Sequence, residues 1–281
     1  PLVSALKGFE VFVLVLVGIH LAGQLRTLAD VRWLVDVLAL ILLVLVISSL
    51  LGAVLLPGEA FPPTLSGIRV LQGTAPVINS NTLTQFAALL GLVALIAWLE
   101  PLPGRQGVGA WAVIGIALVA IILSHSRTST IAGALAVIVV LYLSGRRSLA
   151  LGAAGAGAVA WFATEVLASF IFRGQTEEQV LNLSGRLTFW ESTVGLLGDS
   201  PWVGHGFYAA QRALLGTSTV DNTYLDVMLG LGVLGVIVLL VPLLIAAAGL
   251  LAARPTRRDA PLYRSLALEL TAIFIVVVIR S

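Results

Sequence analysis

Long apolar stretches follow one another along almost the whole of this 281-residue chain. A helix that spans a bilayer needs about 20 mostly apolar residues, and only a helix satisfies its own backbone in lipid. About eight stretches meet this requirement, at roughly residues 9–23, 33–56, 83–99, 107–123, 129–144, 148–172, 224–252 and 262–279. The sequence therefore predicts an all-α fold, a polytopic transmembrane helix bundle of about eight spans that forms a single domain over residues 1–281. Small residues in the sixth stretch, Gly152, Gly155 and Gly157, predict close helix packing there.

The charged residues are too few to cover a water-soluble globule. They make up 11% of the chain, whereas soluble domains have about 25%, so we expect membrane lipid to solvate much of the surface. A net charge of +2 does not indicate a nucleic-acid partner, and the absence of Cys excludes disulfides and thiolate sites. His20, His125 and His205 are too scattered for a metal motif. We therefore predict neither metal nor cofactor.

The distribution of arginine predicts the orientation in the membrane. Arginines cluster in three short connections, at residues 26–32, 146–147 and 254–264. All three fall on one side if every stretch spans, and Lys/Arg bias makes that side cytoplasmic. The long connections 57–82 and 173–223 are then extracytoplasmic, as is the N-terminus. Because no Met opens the chain at Pro1, we expect it to be a piece of a longer protein.

The extracytoplasmic loop 173–223 has a pattern of its own. Apolar residues recur at spacings of three and four between Leu187 and Leu197, with Ser184 as a candidate N-cap. This pattern predicts an amphipathic interfacial helix, ended by Gly198 and Pro201. Long loops with structure of their own are usually functional.

Residues 124–128, Ser-His-Ser-Arg-Thr, place a cation at the end of an apolar stretch. An Arg near membrane depth normally faces a cavity or a charged ligand. The alternative is that Arg127 extends to lipid phosphates at the interface. Against this alternative, Arg127 falls on the side where the charge bias predicts fewer cations.

Two further polar places lie in and after the long loop. Arg186 precedes Trp190 by one helical turn, which is compatible either with phosphate binding or with an ordinary interfacial helix. Residues 221–226, Asp-Asn-Thr-Tyr-Leu-Asp, put Asn222 and Asp226 on one helix face. The alternative is that Asp221 or Asn222 is the N-cap of the seventh span and that the helix dipole favours the carboxylate of Asp226. Residues 201–207 between these places form a predicted tight turn that contains His205.

Two arginines and a carboxylate on one side of the membrane suit transfer from a lipid diphosphate. The arginines would neutralise the leaving diphosphate, and the carboxylate would take a proton from the acceptor hydroxyl.

In order, these segments resemble the O-antigen ligase and polymerase family, in particular its exopolysaccharide-production branch. That family carries a Ser-x-Ser-Arg-Thr-like segment, then Gly-Arg-x-x-x-Trp, Pro-x-x-Gly-x-Gly and His-Asn-x-Tyr-Leu-Asp. The matching segments here are residues 124–128, 185–190, 201–206 and 221–226, with a weaker echo at residues 79–83. The resemblance covers about residues 70–245.

The resemblance implies a metal-independent, inverting glycosyl transfer at the outer face of the bacterial inner membrane. The donor would be a glycan on a polyprenyl diphosphate and the acceptor another glycan or a lipid. Arg127 and Arg186 match the diphosphate-binding positions, and Asn222 matches a catalytic one; Ser126, Trp190 and Asp226 would support them. The donor glycan, the acceptor and the choice between ligase and polymerase stay open.

Position 221 departs from the family pattern, since Asp221 stands where relatives place a His thought to act as base. We predict that Asp221 takes the role of the base. Because Asp is a weaker base than His in water, His205 is the reserve candidate. A catalytically inert relative is the alternative. Two other classes of function compete: a transporter, with Asp36 and Glu165 as acids inside spans, or a structural membrane subunit.

Overall fold

The computed structural model describes residues 2–62, 69–102, 109–162, 194–206, 222–256 and 259–280. Its long helices are α1 (Leu2–Gln24), α2 (Leu28–Leu55), α4 (Ser80–Leu99), α5 (Ala110–Ser124), α6 (Arg127–Leu143), α7 (Arg147–Phe162), α8 (Thr223–Ala252) and α9 (Pro261–Arg280). A short helix, α3 (Pro57–Ala60), and an antiparallel hairpin, β1 (Gly73–Thr74) and β2 (Val77–Ile78), lie between α2 and α4. Each predicted apolar stretch falls on one long helix, and the sixth lies outside the described residues beyond position 162.

Four of the described helices, α2, α4, α8 and α9, are long and apolar enough to cross a membrane by length and composition. Helices α5 and α6 have 15 and 17 residues, so each is roughly 23–26 Å long, somewhat less than the 30 Å of a typical hydrocarbon core. Large apolar side chains such as Val54 and Val238 are 77% and 72% exposed. The structure is that of an all-α membrane protein, while the number of eight spans stays a prediction.

The chain forms two compact units. One is built from α1, residues 194–206 and α8; the other contains α2 to α7 and α9, and the division of the chain between them falls near the end of α8.

Helix α4 is the centre of the second unit, where α2, α5, α6 and α9 all pack against it. Small residues bring these helices together, since a Cβ on Gly91 would lie 3.2 Å from Ala117 and one on Gly133 equally close to Ala88. The glycines of α7 were expected to do this. Among the described residues, nothing lies within 4 Å of a Cβ built on Gly152, Gly155 or Gly157, and the close approaches are those of α4 with α5 and α6.

Polar residues fix where the central helices begin. Thr27 and Asp30 form a capping box at α2, in which Asp30 N–H donates to the Thr27 hydroxyl and Thr27 N–H to the Asp30 carboxylate. At α4 the side chain of Asn79 accepts from the Thr82 N–H at 2.8 Å. The Asn79 segment, read as a weak family motif, therefore has a clear structural role as a cap.

The proline-rich connection 57–82 is more regular than its sequence indicates. We expected an irregular loop, but its described part contains α3 and the β1–β2 hairpin. The hairpin packs on the end of α2, where Gly52 faces Thr74. Backbone bonds from Leu71 to Leu123 and from Gln72 to Ala60 hold the connection in place, because buried N–H groups require partners.

Candidate functional site

The segment 124–128 forms a sharp reversal between α5 and α6. Helix α5 ends at Ser124, His125 adopts the left-handed conformation with φ 51°, and Ser126 is the extended N-cap residue of α6. The reversal makes Arg127 the first residue of α6. Since the N-terminus of a helix carries a partial positive charge, the backbone and the guanidinium at this point both favour an anion.

Buried serines attach this reversal to the start of α4. The Ser129 hydroxyl donates to the Asn81 carbonyl at 3.1 Å, and the Ser126 hydroxyl donates to Ser129 at 3.3 Å. Ser126 and Ser129 are almost completely buried, while Arg127 is half-buried. Two polar segments that lie far apart in sequence, residues 79–83 and 124–128, thus meet at one end of the second unit.

In the first unit, the predicted turn 201–206 fills an interruption in α8. The helix breaks at Gly232, which has φ 65° and ψ −163°. The broken backbone groups are paired with the turn: His205 N–H donates to Leu229 O at 2.8 Å, and Val233 N–H to Pro201 O at 2.9 Å. Gly206 N–H similarly donates to Gly230 O at 2.8 Å.

This packing explains why glycine stands at Gly204 and at Gly232. Both have positive φ, which costs an L side chain about 1–2 kcal/mol. A Cβ on Gly204 would meet the backbone of residues 230–232, and a Cβ on Gly232 would meet the backbone of Trp202 and Val203. The backbone of residues 201–206, the Pro-x-x-Gly-x-Gly segment, therefore fills the break in α8 and pairs with its backbone groups. We call this segment the plug.

His205 is held by this plug in one orientation. Its Nε2 lies 2.8 Å from the Leu196 carbonyl oxygen. A carbonyl only accepts, so Nε2 carries the hydrogen, and in the neutral imidazole Nδ1 is left with the lone pair. Nδ1 is thus the hydrogen-bond acceptor of this half-buried ring.

Asn222 caps α8. Its Oδ1 accepts from the Leu225 N–H at 3.0 Å, as the capping alternative predicted. Asp226 is half-buried one turn later, and its N–H donates to the Asn222 carbonyl at 2.9 Å. The cap uses the oxygen of the Asn222 amide and leaves its Nδ2 to act as a donor.

Arg186, Trp190 and Asp221 lie outside the described residues. So does most of the predicted interfacial helix, although residues 194–197 are helical and are followed by a turn at Gly198, as predicted. The convergence of Arg127 and Arg186 on one cavity stays a prediction.

A buried charge network inside the second unit was missed by the sequence analysis. Arg32 of α2 donates to both carboxylate oxygens of Glu269 in α9, at 2.8 and 2.7 Å, and to Asp36 at 2.6 Å. Glu269 is fully buried. Of the two acids predicted inside spans, Asp36 belongs to this network, and Glu165 lies outside the described residues. The available signal was the four-residue spacing of Arg32 with Asp36 and of Ser265 with Glu269, which puts two polar faces in apolar helices.

A second ion pair lies at the same end of this unit. Glu100, just after α4, accepts from Arg264 at 2.8 Å and lies 3.5 Å from Arg146. In the described part of the chain, no group of three or more His, Asp and Glu side chains is placed to hold a metal ion.

Comparison with known proteins gives one family. Residues 112–240 match the family model described as O-antigen ligase. The matched segment includes all four motifs on which the resemblance was based, and the resemblance is confirmed. None of the curated proteins compared with the chain matches it.

Proposed function

Because residues 112–240 match the family model described as O-antigen ligase, we propose that this membrane protein transfers a glycan from a polyprenyl diphosphate to a glycan or lipid acceptor. The observation that carries the proposal is that the matched segment spans Arg127, Arg186, the turn 201–206 and residues 221–226. These are the cationic, basic and donor groups that such a transfer needs. The protein would work in the bacterial inner membrane, with its active site facing outward.

In the proposed reaction, an acceptor hydroxyl oxygen attacks the anomeric carbon of the donor. The bond from that carbon to the diphosphate oxygen breaks, the configuration inverts, and the lipid diphosphate leaves. Arg127 and Arg186 neutralise the charge that develops on the diphosphate. The start of α6 at Arg127 adds the positive end of a helix dipole to this charge.

The acceptor proton goes to a base near the start of α8. Asp221 is the first candidate, and Asn222, whose Nδ2 is not used by the cap, orients the acceptor. His205 is the reserve base, supported by the acceptor Nδ1 that its bond to Leu196 leaves. Ser126 supports Arg127 through its bond to Ser129, and Trp190 and Asp226 flank the reacting groups.

Helix α8 also bears on the transporter alternative. Transporters use broken helices whose backbone groups bind substrate or ions. Here the break at Gly232 is occupied by the backbone of residues 201–206, so these groups have protein partners in place of a transported solute. This arrangement favours a structural role for the break and supports transfer over transport.

Purified protein incubated with a polyprenyl-diphosphate glycan and a membrane lipid extract as acceptor tests the proposal. Release of polyprenyl diphosphate should match the appearance of glycan on an acceptor, without added metal and in the presence of a chelator. A solute flux in vesicles without such release would support the transporter. Absence of both, in folded protein, would favour the inert relative.

A further inference from the structure

A cavity of about 390 Å³ lies among α2, α4, α5 and α9 within the second unit. This volume is in the range of small-molecule sites. The cavity extends from Leu90 on α4 to Glu100, just after that helix, and from Leu43 to Arg32 on α2, which corresponds to a length of roughly 15 Å. Most of this length is lined by Ala, Val and Leu side chains, and the ionisable residues lie at one end.

The polar end combines both signs of charge. Arg32, Asp36 and Glu100 line it, and Ser265 lies beside them. Asp36 is the most exposed of the three ionisable side chains, at 31%. With their partners Glu269, Arg146 and Arg264, these groups form a set of three guanidiniums and three carboxylates whose charges cancel. A ligand with a net charge gains little from such a set, whereas one that carries both signs can pair with each.

The N-terminal end of α5 lies on the same cavity. Gly109 and Ala110 line it, and Gly109 has no side chain with which to cap the helix. The positive end of the α5 dipole thus lies at a polar end that already presents two carboxylates. Phosphate and ammonium together complement these two sets of groups.

We propose that this cavity binds a phospholipid with an ethanolamine head group. The ammonium pairs with Asp36 and Glu100, the phosphate lies toward Arg32 and the start of α5, and an acyl chain follows α2 and α4. We assign the polyprenyl donor to a different site, since the polar end of the cavity lies at the N-terminal end of α5 and Arg127 follows the C-terminal end, about 22 Å away along the helix. The proposal does not depend on glycan transfer.

Delipidated protein in detergent should be titrated with phosphatidylethanolamine, phosphatidylcholine and phosphatidylglycerol of identical short acyl chains. Binding is read from the rise in Tm and from the lipid retained in native mass spectrometry. Phosphatidylethanolamine should bind about tenfold or more tightly than the other two, since phosphatidylcholine lacks the ammonium hydrogens and phosphatidylglycerol lacks the cation. Equal binding of phosphatidylethanolamine and phosphatidylcholine, or a preference for phosphatidylglycerol, would overturn the head-group assignment.

Two pairs of variants locate the site. Ala97→Phe fills the cavity from an exposed lining position, and Ala134→Phe adds the same bulk at an exposed position outside its lining. Asp36→Asn removes a lining carboxylate, and Glu59→Gln removes an exposed one elsewhere. The first member of each pair should lose about tenfold in affinity, and the second should bind like the wild type.

Tm without lipid separates a folding defect from a loss of binding, and Ala97→Leu replaces the Phe variant if that protein unfolds. Wild-type affinity in folded Ala97→Phe or Ala97→Leu would contradict the cavity as the site.

Discussion

At the scale of single residues, the helix turn that carries Arg127 is attached to a neighbouring helix by hydrogen bonds from buried serines. The buried Ser126 and Ser129 connect its helix turn to the Asn81 carbonyl. A side chain that only extended to lipid phosphates would not need such an anchor. The shape of the guanidinium is therefore expected to matter as well as its charge.

Arg127→Lys and Arg186→Lys should each lower glycan transfer by about 10²-fold, because a point charge cannot replace a planar fork on diphosphate oxygens. Initial rates with a polyprenyl-diphosphate glycan measure this loss. Arg147→Lys is the matched control, since Arg147 is exposed at the start of α7 and packs over Tyr142. Full activity in both test variants would refute the diphosphate assignment.

The identity of the base can be decided at Asp221 and His205. If Asp221 accepts the proton, Asp221→Asn should lower the rate by roughly 10²–10⁴-fold, and Asp221→His should keep or raise it. If the Nδ1 of His205 accepts the proton, Asp221→Asn should stay active and His205→Ala should lose activity. Leu196 provides the carbonyl that orients His205, so the Tm of the His205 variant must be compared as well. Normal rates in both single variants would exclude both candidates.

At the scale of elements, α8 depends on a backbone contact that no side-chain substitution can imitate. Gly232→Ala should lower the Tm and the transfer rate for two reasons. Residue 232 has a positive φ, which is unfavourable for Ala, and the added Cβ would meet the backbone of Trp202. The loss in unfolding free energy should be at least about 1 kcal/mol. Gly249→Ala is the control on the same helix: its Cβ meets nothing within 4 Å, and helix propensity makes the change neutral or stabilising. Thermal unfolding in detergent distinguishes them, and equal Tm values would show that the plug is dispensable.

The contact between α2 and α9 is electrostatic as well as apolar. Glu269→Gln removes the buried counter-charge of Arg32 and leaves the partly exposed Asp36 paired with it, so it should cost about 1.5–3 kcal/mol of unfolding free energy, the range for a hydrogen bond to a charged group. The triple variant Arg32→Met, Asp36→Asn, Glu269→Leu should lose less, because it removes all three charges of the network together. Denaturation in mixed micelles measures both. A single variant as stable as the wild type would show that the pair contributes nothing.

The elements themselves were largely predictable, and their interruptions were not. Hydropathy located each long helix because lipid exposure imposes long apolar runs. It did not predict the break at Gly232 or the capping role of Asn79, because these depend on partners elsewhere in the chain. The same holds for Glu269, whose buried position is stabilised only by Arg32 of another helix.

On the scale of the whole molecule, the second unit has two chemically different ends. Arg32, Arg146 and Arg264 and their carboxylates lie at one end, and the β1–β2 hairpin and the reversal at Arg127 lie at the other. The sequence had grouped these arginines on one side from loop positions alone. That grouping followed from the alternation of spans along the chain, and the assignment of this side to the cytoplasm from Lys/Arg bias stays a prediction.

Orientation can be tested directly because the chain contains no Cys, so each introduced thiol is the sole label site. Val77 is 86% exposed in the hairpin and Ser148 is exposed at the start of α7, at the opposite end of the unit. A membrane-impermeant maleimide applied to spheroplasts should label Val77→Cys, whereas Ser148→Cys should react only after permeabilisation, because Lys/Arg bias retains residues 146–147 in the cytoplasm. Ser218→Cys, in the predicted extracytoplasmic loop, should behave like Val77→Cys. The reverse pattern would invert the topology and place the proposed diphosphate site in the cytoplasm. Labelling of both Val77→Cys and Ser148→Cys from one side would contradict the two-ended structure itself.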